Sequence, residues 1–237
     1  MTTLILATRN VHKTDEIRAV LGGRFHFLTL NDFPGAPKTV EDANTFAGNA
    51  AKKSIELAKW ISENSKLKIQ NSKFTFALAD DSGLEVDALG GKPGVHSARF
   101  AAMDSSKFEN ASDADNNAKL LRLLEKIPLE KRAARFRCIL ALTPVLEKEI
   151  ESASPVCYAD ELELQTPFFD GVCEGKILFE PRGQNGFGYD PLFVPDGFEQ
   201  TFAELGDVMK NKISHRAKAL EKLKEFFNRQ DAKTPGI

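Results

Sequence analysis

Two aspartates, Asp80 and Asp81, stand side by side at the end of the apolar run Phe76 to Ala79, and Ser82 and Gly83 follow them. Serine and glycine after an apolar run predict a tight turn. Adjacent carboxylates repel, so the pair calls for positive charge nearby. Exposed turn aspartates are common, but active-site groups favour strand ends in open sheets. Neighbouring side chains on a strand point to opposite faces, so the two acids should do different jobs. A hard cation such as Mg2+ would relieve their repulsion and take carboxylate oxygens as ligands.

Two lysines are further candidates for chemistry. In the segment "TFAGNAAKKSIEL", Phe46, Ala50, Lys53 and Leu57 fall on one helical face, so Lys53 sits on a stripe that should be apolar. Two readings stand: the lysine snorkels from the stripe's edge, or the face meets a cleft that holds negative charge. Lys13 closes the segment "ATRNVHK", where a strand gives way to a polar turn and then a helix. Backbone N–H groups at such a junction suit an anion, and Thr8 and Asn10 add neutral donors. An ordinary capped turn explains the same residues. The segment is not a Walker A loop, because the flanking glycines and the Lys-Ser/Thr ending are absent. Glu41 and Asp42 precede the helix that carries Lys53, where acids complement the helix dipole.

Two further segments carry recognition chemistry. "GQNGFGYDPLF", Gly183 to Phe193, surrounds Phe187 and Tyr189 with glycines and adds Asp190. An aromatic on such a turn can stack on a flat ligand ring, or it can simply join the core. In "KNKISHR", Lys210 to Arg216, Ser214 is the predicted cap of the last helix. His215 and Arg216 then occupy its first turn, where cations are unfavourable without a negative or electron-rich partner.

The elements that position these residues read as a mixture. "TLILAT" and "RFHFLTL" are predicted strands, with the helix "KTDEIRAVLGG" between them. "VEDANTFAGNAAKKSIELAKWI" is a helix capped by Asn44 or Thr45. A polar connection with Lys66, Lys68 and Lys73 leads to the strand "FTFALA". "SDADNNAKLLRLLEKI" is a helix closed by Pro128. "RAARFRCILALTPV", "EIESASPVCYADELEL" and "CEGKILFE" read as strands, "GFGYDPLFVP" as a turn entering a strand, and "SHRAKALEKLKEFFNR" as the final helix. Consecutive middle strands without strict alternation favour a mixed-sheet α/β domain, and no linker divides residues 1–237.

The chain has 237 residues, 42% hydrophobic and 28% charged, with a formal charge of -2. That composition fits a soluble protein with a substantial core and argues against broad binding to nucleic acid or an anionic membrane. No run of about 18 apolar residues predicts a membrane span, and the early, short apolar run does not fit a secretory signal. Cys138, Cys157 and Cys173 are widely spaced and predict reduced, buried thiols in the cytoplasm. With the scattered histidines they make no zinc pattern.

Taken in order, "LATRNVHK", "TFAGNAAKK", "ADDSGLEVDALGGKPGVHSARFA", "GFGYDPLF" and "SHRAKAL" resemble the inosine triphosphate pyrophosphatase, or Ham1, family. The segments run from Leu6 to Leu220, and the ordered set is highly specific. The resemblance implies an elongated, two-lobed α/β fold with a mixed central sheet, a cleft between lobes, and a homodimer. It implies Mg2+-dependent hydrolysis of ITP, dITP and XTP to the monophosphate and pyrophosphate, which keeps deaminated purines out of nucleic acid. By position, Thr8, Arg9, Asn10, Val11, His12 and Lys13 match the segment that holds the triphosphate, and Lys53 matches a lysine lining that cleft. Glu41 and Asp81 match the metal-linked acids, Asp81 also the proton acceptor, and Ser82 a substrate contact. Phe187, Gly188, Tyr189 and Asp190 match the base-contacting turn, with Phe187 as the stacking ring. Lys210, His215 and Arg216 match residues near the purine. The residues of that last group would equally suit phosphate, so their assignment to the base comes from the resemblance. The connection before Phe74 and the segment "CYADELELQTPFFDG" are longer than is usual in the family. A pyrophosphatase for other modified nucleotides and a non-catalytic nucleotide-binding protein are the alternatives.

Overall fold

The computed structural model describes residues 1–64, 74–104, 110–146, 162–163 and 165–233. Among the described residues, six strands form one sheet in the order β2-β1-β3-β4-β5-β6. They are β1 (Thr2–Leu6), β2 (Phe25–Thr29), β3 (Phe74–Val86), β4 (Ala133–Pro144), β5 (Phe168–Ile177) and β6 (Phe193–Pro195). β1 pairs parallel with β2 and with β3, whereas β5 and β6 are antiparallel. Helices α1 (Val11–Leu21), α2 (Phe46–Glu63), α3 (Asp113–Leu124), α4 (Phe202–Ile213) and α5 (His215–Lys233) complete a mixed α/β fold.

The chain divides into two compact units. The first holds Met1–Asp81, Ile139–Phe169 and Leu220–Ile237, and the second Ser82–Cys138 and Asp170–Ala219. In the first unit, Leu4, Ile5 and Leu6 of β1 are fully buried, as a strand paired on both sides requires. Ile5 and Ala77 pack with Phe33, Leu57, Ala58 and Ile61. Asn10 caps α1 by accepting from Lys13 N, and Gly22 stops it at φ 68°, a left-handed conformation that glycine adopts without steric cost. Thr45 caps α2 by accepting from Gly48 N at 3.1 Å, so of the two predicted caps threonine is the one used.

In the second unit, Leu84, Phe100, Leu120, Phe136, Phe193 and Phe202 share a core. The Phe136 and Phe193 rings meet edge-on at 4.8 Å, a favoured aromatic geometry. Ser112 caps α3. Its far end is closed by Arg132, which is fully buried and donates to the carbonyls of Leu124, Ile127 and Leu178 at 2.6, 2.9 and 2.8 Å. The Leu124 and Ile127 carbonyls lie at and just beyond the C-terminus of α3, where a cation is favourable, and the Leu178 carbonyl follows β5.

Three expectations need correction or limits. The apolar strand does not end at Asp80: β3 runs through Asp80, Asp81, Ser82 and Gly83 to Val86, so no tight turn forms there. Ser82–Gly83 satisfies its backbone in the sheet, and strand pairing overrides the turn propensity of two residues. Helix α4 was not predicted, although Thr201 and Glu204 form a full capping box at its start. Its left-handed Gly206, at φ 73°, breaks the helical spacing that would have marked it. The predicted strand over 149–164 and the connection with Lys66, Lys68 and Lys73 fall largely outside the described residues. Within the former, Leu162 and Glu163 are helical. No helix among the described residues is long and apolar enough to cross a membrane.

Candidate active site

In the first unit, β1 delivers the chain to the turn at Thr8, and α1 begins at Val11. Thr8 Oγ1 accepts from Asn10 N at 3.1 Å and so shapes the turn. Arg9, Asn10, Val11 and His12 are exposed around the start of α1. One helical step on, Lys13 reaches back and donates to Asp80 Oδ1 at 2.6 Å. The Asp80 side chain is almost completely buried and that of Lys13 remains partly open.

Lys53 does not snorkel. Its residue is 8% exposed, level with the apolar residues on its stripe. Its ammonium donates to Asp80 O at 2.7 Å and to Asp81 Oδ1 at 2.9 Å, and lies 3.2 Å from Glu41 Oε1. Asn49, one turn earlier on α2, donates to Asp81 Oδ2 at 3.3 Å. The two adjacent acids thus have separate partners, Lys13 for Asp80 and Lys53 with Asn49 for Asp81. Asp42 turns away to an exposed pair with Lys52 at 2.8 Å.

Electrostatics set Asp81 apart. Burial pushes its carboxyl above the ordinary aspartate value of 3.8, and this outweighs the opposing effect of Lys53 and Lys13. For Lys53, burial acts to lower the ammonium, but the charges of Asp81 and Glu41 outweigh it and hold the group above 10.5. The two directions are compatible: Lys53 stays protonated, and Asp81 is a stronger base than an exposed aspartate.

Glu41 and Asp81 fit a hard divalent cation. Both reach the same ammonium nitrogen, so their carboxylates converge on a point that a cation can share. Among the described residues no group of three or more His, Cys, Asp or Glu forms a ready cage. An ion held by two carboxylates would complete its shell with substrate oxygens and water, which is how Mg2+ is commonly bound. Beside these residues opens a pocket of about 270 Å³, lined by Thr8, Arg9, Lys38, Thr39, Glu41 and Lys53 among others.

The second unit holds the other predicted residues. Gly186, at φ 79°, brings the turn so close to Asp190 that a Cβ would lie 2.3 Å from its Oδ2. Asp190 Oδ2 accepts from Phe187 N at 2.9 Å and from Lys210 Nζ at 2.5 Å. The Lys210 and Asp190 side chains are each 2% exposed. Phe187 does not join the core. Its ring is half-buried, 4.3 Å from the Lys210 ammonium and 5.9 Å from the Arg216 guanidinium. Arg216 also donates to Ser82 Oγ at 2.9 Å. The electron-rich partner required for His215 is Phe136, stacked at 4.8 Å and 12°. Tyr189, expected beside the substrate contacts, is placed differently. Its ring lies in the core and its hydroxyl donates to Ser97 O at 2.9 Å, so it anchors the turn from behind.

The sequence reading missed Asn49, Phe136 and Gly171. Asn49 lies on α2 one turn before Lys53, the spacing that puts both on one face, and Phe136 carried no signal beyond its strand. Gly171 lies within β5, and a Cβ there would sit 2.0 Å from His215 O and 2.6 Å from Ala219 N. A glycine inside a strand pattern marks such a close approach.

Known proteins resemble this chain over nearly its whole length. Over 227 residues the chain is 44% identical to a dITP/XTP pyrophosphatase of Desulforamulus reducens, covering 95% of this chain and 96% of that protein. It is 45% identical over 231 residues to a dITP/XTP pyrophosphatase of Geobacter sulfurreducens, covering 97% and 98%. The solved structure of a HAM1 protein from Coxiella burnetii matches with a TM-score of 0.72 and 35% identity, over 97% of this chain and all of that one. The Ham1 family model matches residues 4–226, and the chain belongs to the Ham1 family.

Proposed function

We propose that this chain is a Mg2+-dependent nucleoside triphosphate pyrophosphatase that converts ITP, dITP and XTP to the monophosphate and pyrophosphate. Its role is to remove deaminated purines from the nucleotide pool. The observation that carries this reading is Asp81, a buried carboxylate of raised basicity fixed by Lys53 and Asn49. Its neighbour Asp80 holds the second lysine, Lys13. The relatives named above as dITP/XTP pyrophosphatases support the substrate class.

The residues of the first unit take the polyphosphate. Thr8 and Asn10, with Arg9, Val11 and His12 around them, present the start of α1 to phosphate oxygens. Lys13 and Lys53 offset the negative charge that these oxygens carry. Glu41 and Asp81 would hold a divalent ion, which would supply further charge neutralisation for the phosphates. Asp81 orients a water and accepts its proton as the oxygen attacks the phosphorus that joins nucleoside to leaving pyrophosphate. Burial suits it to that task, since a general base works best when its pKa approaches the working pH.

The residues of the second unit take the nucleoside. Phe187 stacks on the purine, and Ser82, His215 and Gly188 border it. Lys210 and Arg216 present N–H donors, and Asp190 orients Lys210. Donors suit a 6-oxo group and meet a 6-amino group donor to donor, so ATP is rejected. On this proposal, residues 1–237 are a single hydrolytic domain that works as a cytoplasmic homodimer.

The test is pyrophosphate release from ITP, dITP, XTP, GTP, dUTP, TTP and ATP with Mg2+. ITP and XTP should exceed ATP by at least about 100-fold in kcat/KM, the scale of a site that uses hydrogen-bond donors to discriminate. Equal rates on all seven would reject the substrate assignment. Binding without product would reject the enzyme.

A further inference from the structure

The inside of the Phe187 turn is fixed by Asp190, but the turn has a second side. Gly188 lies in a left-handed conformation at φ 63°, and nothing would meet a Cβ there within 4 Å. A glycine in open space is free to rotate its flanking peptides, and rotation at Gly188 would swing the Phe187 ring. Helix α3 removes that freedom. Asp113 Oδ2 accepts from Gly188 N at 2.7 Å, and Asn117 Nδ2 donates to Gly188 O at 2.9 Å. Asp113 and Asn117 are four residues apart, so they share one face of α3 and engage both polar groups of the same glycine.

An acid in the first turn of a helix needs no special explanation, since it complements the dipole. Asp113 does more than that. Ser112 already caps the helix by accepting from Asp115 N at 3.1 Å, and Asp115 supplies a second acid to the same turn. The Asp113 carboxylate instead reaches 75 positions along the chain to Gly188. Next to Asn117, Asn116 accepts from Ala101 N at 2.8 Å and donates to Ala98 O at 3.2 Å. That same segment receives the Tyr189 hydroxyl on Ser97 O. The start of α3 therefore fastens Gly188 directly and also grips the segment on which Tyr189 is anchored.

We propose that Asp113 and Asn117 are positioning residues for purine binding: by clamping both sides of Gly188 they hold the Phe187 ring in the orientation that accepts the base. The inference rests on the assignment of Phe187 to the base, and its test separates the two. The Gly188 amide is read directly by hydrogen exchange, without nucleotide. Steady-state kinetics are read with ITP, and affinity for inorganic pyrophosphate by calorimetry. The variants are Asp113→Ala, Asn117→Ala, the double variant and Asp113→Asn.

Loss of one net hydrogen bond is expected to cost about 2- to 10-fold, the range of its usual contribution. Asp113→Ala should lose Gly188 amide protection and raise KM for ITP by that factor, with kcat changed by a smaller factor than KM and pyrophosphate affinity unchanged. The double variant should raise KM further. Asp113→Asn keeps an acceptor oxygen and should restore both protection and KM. If Gly188 protection survives in the double variant, or if Asp113→Asn is as impaired as Asp113→Ala, the clamp is wrong and Asp113 acts only on the helix dipole. If protection falls while KM for ITP holds, the clamp exists but does not serve binding of the base, and the proposal fails on that outcome too. Wild-type protein that releases no pyrophosphate from any nucleotide would instead overturn the function, leaving the exchange result to judge the clamp alone.

Discussion

Each unit of the chain buries a lysine against an aspartate, and the surroundings of the two pairs differ. Around Lys53 and Asp81 lie more charges: Glu41 on the same ammonium, Asp80 beside Asp81, and Lys13 on Asp80. Around Lys210 and Asp190 lie rings: Phe187 at 4.3 Å and Phe202 at 5.9 Å from the ammonium. The first arrangement sets three carboxylates, Glu41, Asp80 and Asp81, against two ammonium groups, Lys13 and Lys53. On the function proposed above, incoming phosphate would meet the two lysines and an incoming cation the carboxylates. The second is a rigid pair with an aromatic face, suited to reading the outline and hydrogen-bond pattern of a flat ring. On that proposal, the charged cluster serves reaction and the fixed pair with its rings serves recognition.

Substitutions should separate these two behaviours. The largest effect is expected at Asp81. Asp81→Asn keeps the shape and an acceptor but removes the base, so kcat should fall by about 1,000-fold, within the usual range for general-base catalysis. ITP affinity measured by calorimetry should change little. Wild-type-like turnover in this variant would remove Asp81 from the reaction. The next effect tests the packing that places His215. Gly171→Ala puts a Cβ 2.0 Å from a backbone oxygen that cannot move away alone. Chemical denaturation should show a loss of about 2 kcal/mol, the scale of overpacking in a core. A stability within 0.5 kcal/mol of wild type, roughly the noise of a surface change, would mean that α5 shifts freely. The smallest effect is at the ring. Phe187→Ala should weaken ITP binding by about 10-fold, as expected for one stacked base, and leave pyrophosphate binding unchanged. Equal losses for both ligands would argue against stacking.

The fold was largely legible because its signals are local. β1 is a short apolar run, α1 is stopped by Gly22, and α2 has Thr45 at its cap, each within a few residues of the feature it controls. The error at Ser82–Gly83 has the same origin. Turn propensity is a local property, and the pairing of β3 with distant strands is not. α4 escaped because Gly206 interrupts its periodicity. In the site, lysine on an apolar stripe posed the right question about Lys53, but only the fold supplies Asp81, Glu41 and the Asp80 carbonyl as its partners. The cation next to the paired aspartates was read as Mg2+ flanked by lysines. The structure shows the lysines themselves bonded to the two acids, 2.6 and 2.9 Å away. Asn117 carries no sequence signal at all, since its partner is a backbone carbonyl 71 positions away.

The assignment of Asp81 to a water that attacks the phosphorus next to the nucleoside can be tested directly. ITP is hydrolysed to completion in water enriched in oxygen-18, and both products are weighed by mass spectrometry. Attack at that phosphorus places one labelled oxygen in the inosine monophosphate and none in the pyrophosphate. Label in the pyrophosphate would mean attack at the middle phosphorus, and it would contradict the role given to Asp81.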